Sequence, residues 1–80
     1  MIPVLIYITE YNKESNSCKA RLQDNKIIVL DPFVSCAIEL SDEDYANGEG
    51  HSIVGKTYIL TEYSVYKSVV IPDENGMVEL

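Results

Sequence analysis

The chain has 80 residues, 46 % of them hydrophobic, and a formal charge of −7 from 13 acidic and 6 basic side chains. Eighty residues leave room for one domain, the hydrophobic content excludes a disordered chain, and the acidic balance opposes nucleic acid except at a local basic patch. That patch has a place to be: residues 1–30 carry Lys13, Lys19, Arg21 and Lys26 against Glu10, Glu14 and Asp24.

In the first stretch Ile2, Val4, Ile6 and Ile8 occupy the even positions, and Leu5, Tyr7, Thr9 and Tyr11 the odd ones. This period of two predicts a strand with the even residues inward and Tyr7 and Tyr11 outward. The run is too short to span a bilayer and lacks the features of a secretory leader, so a cytoplasmic protein is expected. After the polar break at 12–17 a second alternation places Cys18, Ala20 and Leu22 on one face and Lys19, Arg21 and Gln23 on the other. Asp24-Asn25 tolerates the left-handed angles of a tight turn and leads into Ile27-Ile28-Val29-Leu30. Four consecutive aliphatics predict a strand covered on both sides.

Asp31-Pro32 interrupts the ladder, and the alternation of Val34, Cys36, Ile38 and Leu40 predicts a further strand over 33–40. Cys18 and Cys36 both read as reduced core thiols, since they form no C-x-x-C pair and lie in apolar alternations. From Ser41 to Gly48 the pattern changes. Ser41 suits an N-cap, Asp42, Glu43 and Asp44 suit the first turn of a helix, and Gly48 suits the position after its end. Strand-type residues return through Tyr58–Tyr63 and Val65–Ile71, and Pro72–Gly76 reverses the chain into a last strand over 77–80.

The expected fold is mainly β: a small antiparallel β-barrel or strongly curved sheet, OB-like or SH3-like in architecture, with one short helical turn near residues 41–48. Closure would remove the edges that so small a sheet otherwise exposes.

Gly50-His51-Ser52-Ile53-Val54-Gly55-Lys56-Thr57 fits the phosphate-loop pattern G-x-x-x-x-G-K-[ST] at every position,. Its context opposes nucleotide binding. A working loop joins a buried strand to a helix whose amides and dipole hold the phosphates, and here an acidic turn precedes it and β-type residues follow. Ile27–Asp31 has the form of a Walker B strand but comes before the loop. The expectation is a glycine-rich exit from the acidic turn, with Gly55, Lys56 and Thr57 already in a strand.

Asp42, Asp44, Asn47 and Glu49 miss the calcium-loop pattern where it matters, with Ala46 at position 5, Asn47 at 6 and Ile53 at 12. His51 is the sole histidine, which argues against zinc and against a Cys–His or Ser–His–Asp nucleophile,. No catalytic residue, metal or cofactor is therefore expected, and the chain reads as a non-catalytic protein-interaction module or small acidic regulator. Tyr45, Tyr63 and Tyr66 in the acidic half would meet a basic protein partner. Ranked below it is a single-strand nucleic-acid binder in which Tyr7 and Tyr11 stack bases beside Lys19 and Arg21.

Overall fold

A computed structural model describes residues 2–80 of the chain. Seven strands form one sheet: β1 Val4–Asn12, β2 Ser17–Leu22, β3 Ile27–Leu30, β4 Thr57–Leu60, β5 Tyr63–Tyr66, β6 Val69–Pro72 and β7 Met77–Glu79. Helix α1, Asp42–Ala46, and a 3₁₀ turn, Glu49–Ile53, lie between β3 and β4. Among the described residues no helix is long and apolar enough to cross a membrane.

The sheet order is β5-β6-β3-β2-β1-β4-β7, antiparallel except where β3 and β6 run parallel. Sequence alternation alone points to an all-antiparallel sheet; the parallel pair arises because α1, the 3₁₀ turn, β4 and β5 intervene before the chain returns beside β3. The sheet is strongly rolled. β4 and β5 sit five strand positions apart in it, about 24 Å if flat, yet only Thr61 and Glu62 join them, a reach of about 10 Å. The roll is fastened where two crossovers meet: Thr61 N–H donates to Gly76 O at 2.7 Å and Asp73 N–H to Glu62 O at 2.9 Å. A Cβ at Gly76 would collide with Glu62 O, so only glycine permits that approach. No ladder joins β5 to β7, and the expected closed barrel is not formed.

Backbone pairing explains the core directly. Tyr11, Cys18, Leu30 and Val70 lie side by side across β1, β2, β3 and β6, and all are buried. Ile6, Ile8, Ala20, Tyr58, Leu60 and Met77 complete the interior with Ile53 of the 3₁₀ turn. Each large aliphatic so enclosed contributes about 1.5–3 kcal/mol.

Tyr11 belongs here only because β1 is bulged. Ile8 pairs with Ala20 and Glu10 with Lys19, so Thr9 is the extra residue and the inward set shifts from even to odd numbers,. The outward Tyr11 predicted from strict alternation is thereby overturned. Its ring stands edge-on to Phe33 at 5.9 Å and to His51 at 5.0 Å, and its hydroxyl donates to Asn16 Oδ1 at 2.9 Å.

Four other expectations change. Residues 33–40 form turns and no strand: Asp31 Oδ1 accepts from the Phe33 and Val34 amides, Cys36 N–H donates to Phe33 O, and Cys36 takes a φ of 61°. Cys36 is accordingly exposed, while Cys18 is buried as expected; both are free thiols. β3 is covered on one side only, leaving Ile27 54 % exposed. The run over 65–71 is split into a hairpin by Lys67 and Ser68, both at positive φ.

The acidic segment folds as its residues dictate. Ser41 Oγ accepts from the Asp44 amide, Asp42, Glu43 and Asp44 fill the first turn, and Gly48 follows at φ 74°,. Asn25, at φ 69°, forms the predicted turn before β3.

Candidate interaction surface

The inner face of the sheet is filled by the core, and one five-residue helix and a single 3₁₀ turn leave little to cover the outer face. Its residues follow from the register. One row runs Ile27, Arg21, Tyr7, Thr57 across β3, β2, β1 and β4, and a second runs Tyr66, Val69, Val29, Lys19, Glu10 across β5, β6, β3, β2 and β1. Tyr7, Val29, Ile27 and Tyr66 are all exposed, the last at 64 %.

The rows combine apolar area with positive charge. The Arg21 guanidinium lies over the Tyr7 ring, 5.1 Å from its centroid, and Lys67 Nζ lies 5.4 Å from the centre of the Tyr66 ring,. Lys19 reaches Glu10 at 3.9 Å and Lys26 reaches Asp24 at 3.7 Å, exposed pairs that hold their partners weakly,. Beside Tyr7 and Arg21 opens a shallow groove of about 260 Å³, also lined by Leu5, Gln23, Asn25 and Thr57.

Of the residues expected to form a stacking platform, Tyr7, Lys19 and Arg21 share this face and Tyr11 does not. Of the acidic-half tyrosines, Tyr66 is on the outer face, Tyr63 packs partly against the core, and Tyr45 sits on α1 with its hydroxyl 3.5 Å from Lys13 O. They thus lie on two elements, Tyr45 on α1 and Tyr63 and Tyr66 on β5, and do not form one patch. Ile27 and Val29 were hidden from sequence reasoning by the rule that consecutive aliphatics are buried twice. A signal against it was present: one predicted helical turn cannot cover a second sheet face.

In the phosphate-loop stretch four amides donate within the fold: His51 N–H to Gly48 O, Val54 N–H to His51 O, Gly55 N–H to Ile8 O and Lys56 N–H to Ile53 O. A strand, not a helix, starts at Thr57, so Gly55 and Lys56 precede the strand rather than lie in it. Lys56 pairs with Glu79 at 3.5 Å.

On the other side, a cleft of about 330 Å³ is lined by Asn16, Phe33, Cys36, Glu39, Leu40, Asp42 and Tyr45. It sets the exposed Cys36 thiol beside Glu39 and Asp42. No group of three or more His, Cys, Asp or Glu among the described residues is arranged to hold a metal ion. Cys18 lies in the core: burial first, and the Asp31 carboxylate second, push its thiol up to about 12. Compared with protein-family models, with curated proteins and with solved structures, the chain matches none.

Proposed function

We propose that this domain is a non-catalytic interaction module that binds a protein partner on the outer face of its sheet. The observation carrying this reading is the contiguous outward set Tyr7, Ile27, Val29 and Tyr66, apolar and exposed, interleaved with Arg21 and Lys19. Aromatic and arginine side chains on a rigid sheet supply contact area at small entropic cost, the composition of interface anchors. The complementary partner surface has an apolar centre with carboxylates facing Lys19, Arg21 and Lys26. A basic partner would instead meet Asp42, Glu43 and Asp44 on α1, but that helix buries no residue and its acids are accounted for by its first turn. Free cysteines agree with a reducing compartment such as the cytoplasm,. The architecture keeps the curvature, though not the closure, of OB-like and SH3-like domains.

Single-strand nucleic-acid binding ranks second. The Tyr7–Arg21 stack favours it, and the loss of Tyr11 from the platform together with a charge of −7 opposes it,.

The test is cross-linking capture with Tyr7→Ala and Ile27→Asp, two exposed changes expected to leave the melting temperature unaltered. A partner cross-linked by the native protein and lost by both variants is the expected result. Equal capture by all three proteins would overturn the assignment, and saturable binding of a fluorescent oligonucleotide at low salt, lost in Arg21→Ala, would transfer the face to nucleic acid.

A further inference from the structure

β5 is an edge strand without the usual defences. Natural edges carry proline, lysine, a bulge or a cover against strand addition, and Tyr63-Ser64-Val65-Tyr66 has none of these within it,. The two-residue loop Lys67-Ser68 makes Tyr66 and Val69 the hydrogen-bonded pair next to the turn,. It follows that Ser64 also bonds toward β6, whereas Tyr63 and Val65 aim their N–H and C=O at the open side. Two observations agree with this phase: Pro72, which has no N–H, stands opposite Tyr63, and Val70 O, opposite Val65, accepts from Asp31 beyond the hairpin.

The inner row ends at this edge. Tyr11, Cys18, Leu30 and Val70 are buried, and Val65, the next residue in the same row, is 61 % exposed. An inward-facing aliphatic thus lies uncovered beside unpaired backbone.

We propose that β5 pairs antiparallel with β5 of a second copy of this chain, across a two-fold axis at Ser64, extending the sheet through both molecules. This goes beyond the outer-face reading and does not depend on it. In this register Tyr63 opposes Val65 of the second copy, twice, and their outward main-chain groups exchange four hydrogen bonds with no change in the monomer's own ladder. Each exposed Val65 gains the ring of the other Tyr63, an aromatic–β-branched cross-strand pair. The flanks select the same occupant: Glu62 precedes the strand and Lys67 follows it, so antiparallel pairing brings each ammonium beside the other copy's carboxylate. A foreign strand would need to reproduce both features.

Sedimentation velocity from micromolar to millimolar protein tests this at about 0.15 M salt, where screening over roughly 8 Å subdues the repulsion of two −7 bodies and leaves adjacent pairs intact. The weight-average mass is expected to rise from 9.0 kDa toward twice that value, and the Tyr63 and Val65 amides to exchange more slowly at high concentration. Val65→Asp changes an exposed side chain and is expected to stay monomeric with an unchanged dilute-solution melt. Lys67→Glu is expected to weaken the dimer at least threefold and Glu62→Lys in the same chain to restore it. A constant 9.0 kDa at all concentrations would overturn the proposal, as would a dimer indifferent to Val65→Asp.

Discussion

The Tyr11 ring lies flat against the backbone of Gly50, so closely that a Cβ at Gly50 would come within 2.8 Å of three ring carbons. The glycine that opens the apparent phosphate loop therefore serves the core. Gly50→Ala forces either the ring or the 3₁₀ turn to move, and is expected to cost about 1–3 kcal/mol. Urea unfolding measures this, and a cost below 0.5 kcal/mol, on the order of an ordinary surface change, would contradict the packing described.

The two thiols should separate chemically. Cys36 is exposed and Cys18 buried, so a thiol reagent at pH 8 is expected to label one cysteine of the native chain and two after denaturation,. Mass spectrometry of the labelled peptides identifies which.

Alkali should destabilise the fold early. Cys18 holds its proton up to about 12 when folded, whereas an unfolded thiol releases it near 8.5,. Burial also raises Tyr11 and Tyr58, with Tyr45 the next cause for the first and Glu79 for the second. Above pH 8.5 the unfolded chain thus binds fewer protons than the native one, and stability falls as pH rises. The thiol alone gives a slope of up to about 1.4 kcal/mol per pH unit between about 9 and 12, and the phenols steepen it above about 10. Cys18→Ser places a hydroxyl there and should remove the thiol's share, as read from denaturant midpoints across that range.

Nucleotide should leave the protein unmoved. With the amides of His51, Val54, Gly55 and Lys56 already donating within the fold, millimolar Mg-ATP or Mg-GTP is expected to shift the melting temperature by less than about 1 °C,. Lys56→Ala breaks only an exposed pair with Glu79 and should change stability by no more than about 1 kcal/mol,.

The β5–β6 loop can be improved. Lys67 and Ser68 hold φ values of 50° and 64°, the pattern of a type I′ turn that favours Asn and Gly,. Ser68→Gly is expected to stabilise by about 0.5–1 kcal/mol, measured by thermal melting, because a left-handed backbone no longer crowds a Cβ.

Local chemistry was the legible part of this chain. Ser41, the three acids after it and Gly48 determine α1 by capping and charge, and Asn25 its turn, without help from distant residues. Alternation likewise assigned Ile6, Ile8, Cys18 and Ala20 to the core. It failed at Thr9, since a bulge depends on the pairing partner and leaves no mark on one strand's composition, and that single inserted residue moved Tyr11 from the candidate surface to the interior. At 33–40 the apolar spacing was real but Asp31 captured the following amides, turning the chain before a strand could form. The outer face itself had three legible members, Tyr7, Lys19 and Arg21; Ile27, Val29 and Tyr66 joined them through register, including a parallel pairing that no local pattern announces.

That parallel pairing is one of two long-range closures in the sheet, the other being β1 with β4. Leu30 and Val70 meet across β3 and β6 although forty residues separate them, whereas the β1–β2–β3 meander closes through short turns. Pairing β6 with β3 and β4 with β1 must each meet the entropy of a long loop, and the meander only that of short ones,. Folding is thereby expected in the millisecond-to-second range typical of non-local β topologies, with the rolled sheet locking only when Gly76 reaches Glu62.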